Sequence, residues 1–233
     1  MKWILQTVAW LMLCTAAYAA PPDRVQASYE VFSRGMKIGK IDETYTRTGD
    51  RYTLTSTTTP LGMLAVFKPG KTHLNSSGLI VKQGLRPQHF VYKREDNPEK
   101  NSQAEFDWAA EKITLMHQAQ RTPLPLPDGT QDRLSAMYQF MFLQLEADST
   151  LSFAMTNGSK LDNYHYAIGP RQKTDTPVGQ FDSLYLDSQG KPGENRTEIW
   201  LSTQKYNLPC KMIITDAKGD QFTQILSSLH ITP

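Results

Sequence analysis

The sequence predicts a mainly β protein: a large antiparallel sheet, partial barrel or sandwich of about a dozen short strands, with one crossing α-helix. Three observations point there. Apolar residues recur at every second position through most of the chain, and glycine-centred turns separate these runs. A single stretch switches to helical spacing.

The first residues stand apart from this pattern. Lys2 precedes an apolar run from Trp3 to Leu13, and Ala17-Tyr18-Ala19 fits the small-x-small rule for signal peptidase. Residues 1–19 are therefore expected to be a cleaved signal peptide, and residues 20–233 a single β-rich domain in the periplasm. The apolar run is too short for a bilayer span of roughly 20 residues, although a retained anchor is the alternative. Cys14 lacks the small preceding residue expected of a lipidated cysteine. No later segment is long and apolar enough to be a transmembrane span.

Strands are then expected in order. Val25, Ala27, Tyr29 and Val31 share one face, and Gly35 to Gly39 reads as a turn. Ile41, Glu43 and Tyr45 precede a turn at Gly49-Asp50, followed by the threonine-rich run Tyr52 to Thr59. Further strands are expected over residues 71–76, 89–94, 102–108, 112–117, 152–155, 164–168, 181–186, 197–201, 211–215 and 221–227. Thr59-Pro60-Leu61-Gly62 and Thr176-Pro177-Val178-Gly179 share turn chemistry that would join strands. Thr122 to Pro127 has proline at every second residue, which excludes a central strand and suggests extended chain.

That extended chain leads into the helix. Asp128 and Gln131 have the spacing of a capping box, and Leu134, Met137, Tyr138, Met141 and Leu145 follow at helical spacing. About fifteen residues of helix are expected to pack across a sheet face.

Charge and motifs exclude more than they assign. The 233-residue chain carries a formal net charge of +2, with no basic stretch interleaved with aromatics, so nucleic-acid binding has no support. No polybasic run for anionic lipid is present either. The histidines are scattered and no cysteine pair exists, so no metal site is expected. His165, between Tyr164 and Tyr166, reads as a solvent-facing strand residue. Cys210, the only cysteine left after leader removal, reads as a small buried side chain. Ser188-Gln189-Gly190-Lys191 matches a catalytic Ser-x-x-Lys by letters only, in a turn instead of on a helix. Asp42 and Glu43 would point to opposite faces of a strand, while Glu105 and Asp107 share an outer face. Neither pair is a glycosidase signature. No catalytic residue and no cofactor is assigned.

The pieces Ala27-Ser28-Tyr29-Glu30-Val31, Gly35-Met36-Lys37-Ile38-Gly39 and Gly84-Leu85-Arg86-Pro87 come first in a longer series. Phe106-Asp107-Trp108, Leu126 to Ser135, Thr176-Pro177-Val178-Gly179 and Thr197-Glu198-Ile199-Trp200-Leu201 complete it. In content and order the series resembles the bacterial periplasmic family known as domain of unknown function 3108. The resemblance implies an exported β-rich domain and carries over no catalytic residues. A long sheet with one crossing helix also resembles lipoprotein-carrier half-barrels at the level of fold.

The leading expectation is non-catalytic binding or carriage of an apolar or amphipathic ligand between sheet and helix. A lipid, a lipoprotein or another amphipathic envelope component would suit. Candidate binding residues are Trp108, Asp132, Arg133, Met137, Phe140 and Met141, methionine being adaptable to irregular ligands. Alternatives are a structural or interaction module assisting envelope assembly, and a hydrolase of envelope polymer.

Overall fold

The computed structural model describes residues 21–191 and 193–233. The expected leader lies outside the described residues. The chain forms one 15-stranded sheet with two short α-helices. The strands are β1 (Arg24–Ser33), β2 (Met36–Thr48), β3 (Arg51–Pro60), β4 (Thr72–Val81), β5 (Gly84–Arg94), β6 (Ser102–Asp107), β7 (Lys112–His117) and β8 (Gln120–Pro125). They continue with β9 (Gln131–Asp132), β10 (Ser149–Thr156), β11 (Leu161–Thr176), β12 (Gly179–Asp187), β13 (Arg196–Ser202), β14 (Leu208–Thr215) and β15 (Gln221–Thr232). The helices are α1 (Gly62–Phe67) and α2 (Ser135–Gln139).

Nearly every neighbour in the sheet is also a neighbour in sequence. The spatial order is β8 back to β1, then β15 back to β9, so pairing of the first and last long strands joins two meanders. All pairings are antiparallel except the short parallel contact of β9 with β10. Period-two alternation is the cause: Val25, Ala27 and Tyr29 of β1, Tyr52, Leu54 and Ser56 of β3, and Ser102, Ala104 and Phe106 of β6 are buried between exposed or half-buried neighbours.

The proline-rich segment is β8, the outer edge of the sheet. Pro123 and Pro125 cannot donate to β7, so Thr122 and Leu124 hold that pairing and the prolines fall where N–H groups would face outward. An edge without those donors is a poor template for another strand. The expected turn over residues 35–39 is tighter than anticipated, with only Arg34 and Gly35 between strands. Thr59 to Gly62 does not join two strands; it ends β3 and opens α1, which the sequence reading had not anticipated.

The helix prediction needs the largest correction. Gln131 and Asp132 pair with Met155 and Thr156 as strand, so the helix cannot start at Asp128. It spans Ser135–Gln139 and tightens into a 3-10 turn over Phe140–Phe142. Gln139 fixes its far end, accepting from Leu85 N at 2.6 Å and donating to Gln83 O at 2.8 Å. Leu134, Tyr138 and Met141 enter the core of the β1–β8 half, and Phe140 enters the core of the β11–β14 half. Met137 packs against both. The segment from β9 through the 3-10 turn thus forms a plug between the two halves.

Curvature brings the two ends of the sheet together beside this plug. Ser102 Oγ on β6 donates to Asn157 O, in the β10–β11 turn, at 2.8 Å. Gly158 follows with φ +86°, and a Cβ there would lie 2.7 Å from Ser102 Oγ. Only glycine permits both that backbone conformation and so close an approach.

Candidate functional site

The plug is held by two buried carboxyl groups. Asp132, fully buried, accepts from Leu134 N at 2.9 Å and Ser135 N at 2.8 Å through Oδ1, satisfying donors at the entry to α2. Its Oδ2 accepts from Ser76 Oγ on β4 at 2.5 Å, and Ser76 in turn meets the Tyr52 hydroxyl at 3.1 Å. Burial pushes the Asp132 carboxyl from 3.8 up to about 6, against the opposing hydrogen bonds from Ser76, Ser135 and Leu134.

Glu43 on β2 holds the other side. As a residue it is half-buried, but its carboxyl oxygens end on hydroxyls of two buried residues. Tyr138 donates to Oε2 and Ser56 to Oε1, each at 3.1 Å. Burial raises this carboxyl from 4.5 to about 7, despite those hydrogen bonds and the positive charge of Arg133. The Tyr138 ring stacks on Tyr45 with centroids 5.8 Å apart. Glu43, Ser56, Ser76 and Tyr138 were not anticipated as a network. The signal for Glu43 was its place between Ile41 and Tyr45 on an inward face.

The six candidate residues do not converge. Met137, Phe140 and Met141 pack in the interior, where their apolar surface joins the two cores. Trp108 lies at the opposite end of β6 from Ser102; it stacks on Phe106, donates to Pro87 O at 2.6 Å and carries the Arg86 guanidinium 4.9 Å above its ring. Asp132 points inward. Arg133, next to it, is exposed, while Gln131, Asp132, Leu134, Ser135 and Ala136 are all buried.

Arg133 emerges at the seam where the sheet ends meet. Its guanidinium carbon lies 5.9 Å from the Tyr92 ring centroid, within range of a cation–π contact. Its backbone N donates to Thr156 O at 3.0 Å, so a strand pairing fixes the point from which the side chain projects. A cavity of about 260 Å³ lies here, lined by Tyr92, Lys100, Ser102, His117, Arg133, Asn157 and Ser159. No carboxylate lines it. Among the described residues neither Arg133 nor Lys100 has an ion-pair partner. His117 donates through Nδ1–H to Asn101 O at 3.0 Å, which leaves Nε2 uncommitted in that bond. The Arg133 guanidinium and the Lys100 ammonium, beside a small open cavity without a carboxylate, can hold an anion.

Elsewhere the sequence expectations for single residues hold. His165 is exposed between half-buried Tyr164 and buried Tyr166. Cys210 is buried, its thiol pushed up to about 11 by desolvation. Among the described residues no three His, Cys, Asp or Glu side chains gather in a metal-binding group, and no helix is long and apolar enough to cross a membrane.

A family model described as "Protein of unknown function (DUF3108)" matches residues 28–227. The chain belongs to this family. The match runs from within β1 to within β15 and includes the plug, the β10–β11 turn and α1. Comparison with curated proteins finds no match. Among solved structures, a β-barrel-like protein of domain of unknown function DUF1849 from Brucella abortus is similar, with a TM-score of 0.58. At 12% identity the alignment covers 92% of this chain and 100% of that one, a likeness of fold. A presumed lipoprotein from Parabacteroides distasonis aligns over 90% of this chain and 97% of its own, at 9% identity and a TM-score of 0.41.

Proposed function

We propose that this protein is a non-catalytic binding module of the bacterial cell envelope that recognises the anionic group, phosphate or carboxylate, of an amphipathic ligand at the Arg133 seam. One observation carries the reading. In a plug whose neighbouring residues are buried, Arg133 alone is turned outward, into a cavity with Lys100 and His117 and without a carboxylate. An unpaired guanidinium held over an aromatic ring is pre-organised for a planar, bidentate anion.

Export is part of the proposal and is supported by the leader-like residues 1–19. The interior between α2 and the sheet is filled by Tyr45, Tyr138, Met137 and Met141, so the ligand is proposed to bind on the outside of the plug. Contact at the surface suits recognition of a headgroup better than enclosure of an acyl chain.

Calorimetric titration with inorganic phosphate, acetate and a short-chain phosphatidylglycerol below its micellar concentration tests this. Binding of at least one anionic probe, weakened about tenfold or more in Arg133→Ala and partly restored in Arg133→Lys, is expected, corresponding to about 1.4 kcal/mol or more. If phosphate alone suffices, the ligand class is a free anion; if only the lipid binds, it is an amphipath. Equal affinities in wild type and Arg133→Ala, or no binding of any anionic probe, would refute the proposal.

A further inference from the structure

A second surface lies where the β1–β2 hairpin meets α1, the helix that follows β3. Helix α1 buries none of its residues, although it reads Gly-Met-Leu-Ala-Val-Phe. Met63, Val66 and Phe67 are 71%, 74% and 74% exposed. The β1–β2 hairpin adds Met36 at 63%, and Phe222 of β15 is also exposed. Apolar side chains on an element that packs no core against them do not serve the fold, and clustered exposure of this kind marks a contact surface.

The hairpin and the helix are neighbours. Leu61 N donates to Ile38 O at 2.8 Å, and a Cβ on Gly62 would sit 3.6 Å from Lys37 O. A shallow cavity of about 260 Å³ beneath α1 is shared by Ile38, Gly39, Leu64, Lys68 and Phe222, so both segments border it. Together residues 33–40 and 61–71 contain Arg34, Lys37, Lys40, Lys68 and Lys71 and no acidic residue. Arg34, Lys37 and Lys40 pair with Asp220, Glu30 and Asp42. Lys68 and Lys71 have no side-chain ion-pair partner among the described residues; the nearby Asp96 is paired with Arg94, and Glu95 accepts from His73 Nε2 and from the Lys71 backbone N, each at 2.9 Å.

From this geometry we infer that the α1 rim is a peripheral docking surface for an anionic lipid bilayer. Met36, Met63, Val66 and Phe67 enter the boundary between headgroups and acyl chains, and the surrounding lysines meet anionic headgroups. Long apolar side chains on a small projection, flanked by cations without anions in the same segments, match the chemistry of an interfacial anchor. The helix is too short to span, and its Met63, Val66 and Phe67 side chains are already exposed to solvent. The rim is separate from the Arg133 seam and does not depend on that proposal.

The experiment is vesicle flotation of the protein as its host processes it, with phosphatidylglycerol/phosphatidylethanolamine vesicles and with phosphatidylcholine vesicles. Flotation with the anionic vesicles is expected, weakened by salt and reduced at least about tenfold by the double substitution Val66→Glu/Phe67→Glu and by Lys68→Glu/Lys71→Glu. All four positions are exposed, and an unchanged circular dichroism spectrum would show that the variants remain folded. The Val66→Glu/Phe67→Glu protein should still bind the soluble anionic probes at the Arg133 seam like wild type, which separates failure here from failure at the seam. Failure to float with anionic vesicles would overturn the inference, as would equal flotation of the Val66→Glu/Phe67→Glu protein. Self-association in solution abolished by that same double substitution, without vesicle binding, would also overturn it and assign the rim to a second copy.

Discussion

Replacing Glu43 by glutamine should flatten the dependence of stability on pH. In the native protein its carboxyl is raised from 4.5 to about 7, chiefly because burial disfavours the charged form. An acid whose pKa rises on folding holds its proton in the native state after the unfolded chain has released it. Stability from this group is therefore intact below about 4.5, falls as pH rises from there through about 7, and levels off above. The gap between the two values corresponds to about 3 kcal/mol at pH 8 relative to pH 4. Asp132, raised from 3.8 to about 6, adds a loss of the same sign in a lower window and is unaltered in the variant. Glutamine keeps an oxygen to accept from Tyr138 or Ser56 and has no proton to lose in this range. Urea unfolding of wild type and Glu43→Gln at pH 4, 5, 6, 7 and 8 should show a steep fall for wild type and a fall shallower by about 3 kcal/mol for the variant over that whole range. Parallel curves for the two proteins would refute the assignment of a buried, proton-holding carboxyl to Glu43.

Two further substitutions probe the plug and the seam. Asp132→Ala removes the acceptor used by Leu134 N, Ser135 N and Ser76 Oγ and should cost about 3 kcal/mol or more in urea unfolding, with Asp132→Asn costing less because one oxygen still accepts; a loss below ~0.5 kcal/mol for alanine would show that the plug is not held there. Gly158→Ala places a methyl 2.7 Å from Ser102 Oγ at φ +86°, so a lowered melting temperature, equivalent to about 1–3 kcal/mol, and faster amide exchange over residues 157–160 are expected; wild-type melting and exchange would show that the sheet ends do not meet as described.

Local pattern carried most of the fold. Side chains in a strand alternate regardless of what lies opposite, so Val25, Ala27 and Tyr29, or Ile113 and Leu115, announce their strands without knowledge of a partner. The prolines at 123 and 125 excluded a central strand for a similar reason, since a missing N–H is a property of the residue itself; that the extended segment pairs with β7 as an edge strand depends on its partner. Arg133 was legible as a candidate at the entry of the expected helix, but its selection as the outward-facing member of a buried segment was not.

What only the tertiary structure decided rests on contacts between residues far apart in the chain. The helical spacing after Asp128 was real, yet Gln131 and Asp132 are strand because Met155 and Thr156 offer them backbone partners. Glu43 alternates visibly with Tyr45, but its proton affinity depends on Tyr138, 95 residues away. Lys100, His117 and Arg133 share a cavity because the sheet curls until Ser102 meets Asn157. The basic apolar rim is invisible as a run, since Arg34, Lys37 and Lys40 precede Lys68 and Lys71 by a full strand, and pairing of Leu61 with Ile38 brings them to one end. Sequence by itself determined a long antiparallel β meander, because period and turn chemistry act within a few residues. The closing of that sheet, the burial of its two carboxyls and the assembly of its surfaces depend on which distant strands meet, and only the folded chain decides that.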